Sequence, residues 1–235
     1  MKLVDALLES VSTSADETIR RVMVGLHWIS VESKFTGMAH TFRGREGAEL
    51  EDAGNILGKN VLEIADRLRS WEPLDAGLGL AALCSLIEPK GENVNVYDYI
   101  LSVAPGKTVT CIGRFPFYGK LASTALKAHL LEMNPREGEL PPFAAEEVIP
   151  ESDLVVITGT TLINKSLERL LELSRGKICV VLGPSTPMSD VLFDFGATVI
   201  GGVEVVESER LFVSLMQGVK FYHKLEGIKP VARFR

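Results

Sequence analysis

Thr158-Gly159-Thr160-Thr161-Leu162-Ile163-Asn164 sets three hydroxyls and a glycine between an apolar run and an amphipathic stretch. If the run is a strand and the stretch a helix, those hydroxyls meet the free N–H groups of a helix start. Such a place accepts a phosphate or a carboxylate. Thr160 or Thr161 would also serve as a plain helix cap, and capping does not exclude binding. A second segment, Gly183-Pro184-Ser185-Thr186-Pro187, follows another apolar run. Its two prolines fix φ at two points, so two hydroxyls sit on a stiff loop. That loop suits a ligand, or makes a rigid turn before a helix at Ser189 or Asp190. Ser185 lacks the G-x-S-x-G elbow of a nucleophile.

A third segment, Ile112-Gly113-Arg114-Phe115-Pro116-Phe117, lies where a dinucleotide-binding domain carries G-x-G-x-x-G. The second and third glycines are missing, with Phe115 and Pro116 in the way, which counts against an ordinary NAD mode. Arg114 would meet an anionic ligand or solvent. Glu132, ending the next run, would take hydroxyls, a metal or water. Gly201 and Gly202 follow a fifth run. In an open parallel sheet, ligands bind beyond the carboxyl ends of the strands. Glycine there permits sharp turns and close approach, although loops also use glycine only to turn. Four of five runs ending in glycine, with hydroxyl-rich neighbours, favour a ligand site.

The elements that must carry these segments are legible as period and composition. From about Pro105 onwards, apolar runs at 109–112, 128–132, 154–158, 178–182 and 198–200 alternate with helical stretches. Continuous runs suit strands covered on both faces, and strand–helix alternation makes a doubly wound α/β domain. The best crossover helix spans 162–174, with Ile163, Leu167, Leu170 and Leu171 on one face. The N-terminal part reads differently. It shows a helix at 1–13, a strand at 19–31, a second at 35–42, a polar loop at 43–57, and two helices. The first helix carries the stripe Val61, Ile64, Ala65 and Leu68. The second, 74–87, is apolar nearly all round. So short a link between the strands makes a hairpin, and a hairpin with helices is an α+β unit. The expected domains are 1–104 and 105–235.

The hairpin yields a sharper expectation. A two-residue turn at Ser33-Lys34 sets His27 opposite His40 on one face. Two such imidazoles would share a metal ion or titrate as a pair. Ser-Lys is a poor type I′ or II′ turn, which weakens that register.

Composition narrows the function classes. The net charge of -6 leaves no basic footprint for nucleic acid, and the terminal cluster from Lys220 to Arg235 is thinly spread. Asp5 interrupts what would be a signal peptide's apolar stretch, and no run is long enough to span a bilayer. Three cysteines, Cys84, Cys111 and Cys179, form no CxxC, so a reducing, cytoplasmic setting is expected. Cys84 reads as a small core hydrophobe before it reads as a ligand. The segment from Lys220, basic and partly apolar, would cover the first domain or reach a partner chain, which leaves a homodimer open.

Several segments together resemble the putative heavy-metal chelation family: GLGLAALCSLI (77–87), CIGRFPF (111–117), LLEMNP (130–135), SDLVVITGTTLINKSLERLL (152–171), VVLGPSTPM (180–188) and GATVIGGVEV (196–205). The resemblance covers most of the chain. It implies an enolase-N-terminal-like first domain, a Rossmann-like second domain and a site between them. It places that site at Gly113 to Pro116, Glu132, Thr158 to Asn164, Gly183 to Thr186 and Gly201–Gly202. It further implies a transition-metal ion or metal chelate as ligand, in heavy-metal chelation or metal-cofactor biosynthesis, anaerobic cobalamin synthesis included. Cys84 stands where related sequences tend to carry Asn, and a thiolate there would be a softer metal ligand. Three readings fit these residues: a protein binding a small anionic or metal-chelating ligand between the domains, a transferase or lyase using a nucleotide-like cofactor, and a non-catalytic carrier or sensor.

Overall fold

The computed structural model describes residues 2–44 and 49–235. Residues 45–48 of the loop expected at 43–57 lie outside the described residues. Helix α1 (Lys2–Glu9) precedes a three-stranded antiparallel sheet of β1 (Arg21–Val24), β2 (Trp28–Glu32) and β3 (Thr36–His40), in that order. Next come α2 (Val61–Asp66), a 3-10 turn at Arg67–Arg69, and α3 (Pro73–Leu86). The Asn60 carboxamide oxygen caps α2, accepting from Leu62 N at 2.9 Å and Glu63 N at 3.3 Å.

The rest of the chain alternates. Helix α4 (Val96–Val103) leads into β4 (Thr108–Ile112), α5 (Tyr118–Thr124), β5 (Lys127–Leu131) and α6 (Ala145–Val148). Then follow β6 (Leu154–Thr158), α7 (Leu167–Leu173), β7 (Ile178–Leu182), α8 (Val191–Asp194), β8 (Val199–Val205), α9 (Ser208–Met216) and β9 (Ile228–Phe234). Strands β4 to β9 make a six-stranded sheet in the order β5-β4-β6-β7-β8-β9. All its pairings are parallel except β8 with β9. Among the described residues, no helix is long and apolar enough to cross a membrane.

Strand β6 explains the continuous apolar runs. Val155 and Ile157 face one core, shared with Ile29, Leu80 and Ile163. Leu154 and Val156 face another, built with Val96, Ile100, Val109 and Val180. Both faces are covered from Leu154 to Ile157, so that stretch carries no polar residue. Helix α3 is buried nearly all round because it lies on β3 and on the 3-10 turn at Arg67–Arg69.

Four expectations need correction. The strand expected at 19–31 is two strands, β1 and β2, paired antiparallel, with the chain reversing at Gly25-Leu26-His27. Leu26 hid that turn by looking like a strand residue, although it is 55% exposed. The β2–β3 register is one residue away from the expected one: Trp28, not His27, pairs with His40, and Glu32 pairs with Thr36. Phe35 is drawn into the turn because its N–H donates to the Ser85 carbonyl of α3 at 2.9 Å. Gly201 and Gly202 do not end a strand but lie within β8. Residues 228–234, in the segment expected to cover the first domain or reach a partner chain, instead add an antiparallel strand to the sheet.

Candidate functional site at the strand ends

Strand β4 lies between β5 and β6, so the order of the sheet reverses there. The connections after β4 and after β6 therefore leave in opposite directions, and in open parallel sheets ligands usually bind beyond the strand ends at such a point. Gly113, after β4, adopts φ of 103°. A Cβ on Gly113 would lie 2.9 Å from Thr158 Cγ2, so only bare backbone lets the two loops meet.

The Thr158 segment is a 3-10 turn, Gly159–Leu162, and not the start of a long helix. The Thr158 hydroxyl is the cap, accepting from Thr160 N at 3.4 Å and lying 3.1 Å from the Thr160 hydroxyl. Thr161 turns inward, buried, and its hydroxyl donates to the Thr158 carbonyl at 2.7 Å. The Asn164 carboxamide oxygen then accepts from Ser166 N at 3.1 Å and from the Ser166 hydroxyl at 2.6 Å. That local turn, with Lys165 at φ 66°, delays α7 to Leu167. The helix-start anion site expected at Thr160 is therefore not formed. Thr158 and Thr160 remain half-buried.

Arg114 is held by its own chain. Its guanidinium bonds both carboxylate oxygens of Glu139, donates to Asn134 O at 2.7 Å, and lies 3.6 Å from Glu132. Bonding to Arg114 holds the Glu139 carboxyl down at about 2. Among the described residues Glu132 makes that long ion pair, with its side chain 17% exposed, which leaves its oxygens acceptor capacity. The rings of Phe115 and Phe117 stack at 5.2 Å, and Pro116 is exposed beside them. Sequence reasoning missed Glu139, which no spacing connects to Arg114.

The 183–188 loop meets the Thr158 turn, but tightly. A Cβ on Gly159 would lie 2.8 Å from Thr186 N. Gly183, at φ 127°, accepts from Thr186 N at 2.9 Å. The Ser185 hydroxyl accepts from His40 N at 2.9 Å, and both Ser185 and Thr186 are buried. Pro184 is half-buried. The structure thus leaves Gly113, Glu132, Thr158 and Thr160 half-buried and Asn164 exposed, and folds Gly159, Thr161, Ser185 and Thr186 into packing. Gly201 and Gly202 serve close packing: a Cβ at either would lie 2.8 Å from Val96 Cγ2 or Met188 Sδ respectively.

The observed register does not set the two histidines directly opposite each other. His40 sits edge-on between Trp28 at 5.4 Å and Phe42 at 5.2 Å. Burial pushes its pKa down, and the charges of His27 and Lys220 add to the effect.

Residues 95–232 match a family model described as "Putative heavy-metal chelation", and residues 4–87 match a second model with the same description. This chain belongs to the putative heavy-metal chelation family. An uncharacterized protein of Methanocaldococcus jannaschii is 24% identical over 172 residues. That match covers 68% of this chain and 66% of the relative, just under two thirds of its length. A family protein of unknown function from Desulfitobacterium hafniense has a similar crystal structure, with a TM-score of 0.88 and 25% identity, covering 100% of this chain and 98% of that one. Another, from Pyrococcus horikoshii, gives a TM-score of 0.83 at 17% identity, covering 99% and 100%.

The family description points to a heavy metal without naming one. Among the described residues no group of three or more His, Cys, Asp or Glu is placed to hold a metal ion. Those residues therefore present no ready-made cage of oxygen and nitrogen donors. A metal that arrives with its own chelator needs fewer protein donors.

Proposed function

We propose that this family member binds a small metal-chelating ligand in the crevice between the loops after β4 and β6, in heavy-metal handling or metal-cofactor biosynthesis. The carrying observation is the meeting of Gly113 with Thr158 at the reversal of strand order, beside a Glu132 carboxylate that Arg114 leaves largely unpaired. Gly113 would let the ligand approach backbone, and the Thr158 and Thr160 hydroxyls would bond its polar atoms. Glu132 would complete the coordination of the metal or accept a ligand hydroxyl. A simple anion suits the place less well, because Glu132 and Glu139 outnumber the one guanidinium between them. A carrier or sensor reading draws support from Ser185: it is buried and its hydroxyl is bonded to backbone, so it offers no nucleophile.

The test is calorimetric titration of the purified chain with Co(II) iminodiacetate, a chelate with open coordination positions, compared with Co(II) alone. Glu132→Gln and Thr160→Val should each weaken binding of the chelate about tenfold, the worth of one lost hydrogen bond or ligand. Affinity unchanged in both variants removes the crevice assignment.

A further inference from the structure

Strand β1 is the outer strand of the antiparallel sheet. The Gly25 N–H donates to the Trp28 carbonyl at 2.9 Å, which makes Gly25–Trp28, Met23–Ser30 and Arg21–Glu32 the hydrogen-bonded pairs of the β1–β2 ladder. The backbone N–H and C=O groups of Val22 and Val24 therefore point the other way, out from the edge. Among the described residues nothing bonds to them. Earlier on this edge the chain supplies its own partner. A bulge at Arg20-Arg21, where Arg20 N also donates to Glu32 O at 2.8 Å, leaves Ile19 facing outward as well. Ile19 N donates to Lys59 O at 3.0 Å, and Gly58 N donates to Ile19 O at 2.9 Å. Past Ile19 that pairing stops, and a cavity of about 430 Å³ lies between β1 and residues 49–57. Val22, Val24, Leu50, Ile56, Leu57 and Leu74 line it. The exposed Glu49 is its one charged wall residue among those described.

We propose that this cavity binds an extended peptide, which adds to the edge of β1 as a fourth strand. Val22 and Val24 present two donors and two acceptors in a row. Their repeat, about 7 Å for alternate residues of a strand, is matched by the backbone of another strand. Side chains of the peptide on the groove face would enter beside the two valines, Leu50, Leu57 and Leu74, so they must be apolar. Glu49 favours a lysine or arginine flanking that apolar stretch. The walls come from β1, residues 49–57 and the first turn of α3, so the slot suits one strand of peptide and not the face of a folded domain. Its volume falls in the range of sites for small ligands. Neither lysine nor proline guards Val22-Met23-Val24, although open edges usually carry such residues. Val24 is 40% and Leu57 63% exposed, apolar surface that a bound strand would cover. This site is separate from the strand ends of the six-stranded sheet and does not depend on what binds there.

The experiment titrates a fluorescently labelled peptide, Lys-Leu-Thr-Val-Thr-Leu-Lys, with the purified full-length chain and follows anisotropy. The expected result is saturable binding of one peptide per chain. N-methylating the amides of the leucines and valine should have a different effect from N-methylating those of the threonines, because only one row of amides faces β1. One pattern should abolish binding and the other should leave it. Leu57→Asp should weaken binding at least tenfold with unchanged circular dichroism. Val24→Pro removes an outward N–H and no ladder bond to β2, and should weaken binding about tenfold. Leu126→Asp, at an exposed position before β5, is the control and should bind as the wild type does. Glutamates in place of the peptide's lysines should weaken binding about fivefold at low salt. Absence of saturable binding overturns the proposal. So does binding that survives both Leu57→Asp and Val24→Pro, equal loss from the two methylation patterns, or indifference to the flanking charge. Sedimentation showing the chain alone to be a dimer that Val24→Pro dissociates would also overturn it, since the edge would then belong to a second copy.

Discussion

Arg67 donates both terminal nitrogens to the Asp52 carboxylate, at 2.8 and 2.6 Å, and Lys59 adds a contact at 2.6 Å. Chiefly through the Arg67 bonds, the carboxyl is held down at about 2, against an ordinary 3.8. Asp52 thereby ties the segment after residue 48 to the 3-10 turn that packs on α3. A depressed folded-state pKa means the stabilisation is complete above pH 4 and is lost as pH falls through about 2. Asp52→Asn should lower stability at pH 7 by about 1–3 kcal/mol, the range for charge-assisted bonds. Urea unfolding should show that deficit at pH 7 shrinking steadily below pH 4. A deficit constant with pH would mean that Asp52 acts through packing alone. Arg114 has the same habit of pairing within the chain. The sequence offers it as an anion contact, but Glu139 reaches it only because the chain returns past β5. Gly113, Thr158 and Glu132 are legible as strand-end residues because each closes an apolar run, and the partner that uses up Arg114 is not.

The parallel strands are legible for a reason visible in β6, where alternate residues enter two different cores and none may be polar. Strand β9 is obscured by Lys229 and Pro230, both compatible with its position at the sheet's edge, where a missing N–H costs no ladder bond. Helix α7 starts late because Asn164 competes for Ser166, a local contest that an apolar periodicity does not register. Helix α3 and β3 meet through Gly37. A Cβ on Gly37 would lie 2.8 Å from Cys84 C and closer still to Ala81 O and Ser85 N. All three are backbone atoms, so no side chain can move aside. Gly37→Ala should therefore destabilise by about 3 kcal/mol, the upper range for overpacking. Gly119→Ala, in α5 with nothing within 4 Å of the new Cβ, should be neutral or gain up to about 1 kcal/mol. Equal thermal midpoints for the two variants would refute this account of the β3–α3 contact.

Two family models divide the chain, yet one core cluster runs from Leu3 and Ile29 through Leu80 to Ile157 and Ile200. Polar contacts cross the same seam. His40 N donates to the Ser185 hydroxyl, Leu3 N donates to Glu168 at 3.1 Å, and Trp28 Nε1 donates to Lys220 O at 3.2 Å. Lys165, in its left-handed conformation, donates to the carbonyls of Leu68 and Ile163. Separating the halves would expose Ile163 and leave those donors without their partners, so neither half has a reason to outlast the other. The molecule should unfold in one cooperative transition. Both tryptophans, Trp28 and Trp71, lie in the N-terminal half, so fluorescence reports that half while far-ultraviolet circular dichroism reports the whole. The two probes should give coincident denaturation curves. Ile163→Ala, removing a side chain only 3% exposed at the seam, should shift both curves together by about 2–4 kcal/mol. A fluorescence transition that separates from the dichroism curve, in the wild type or in this variant, would show that the halves are independently stable and that the shared core contributes little.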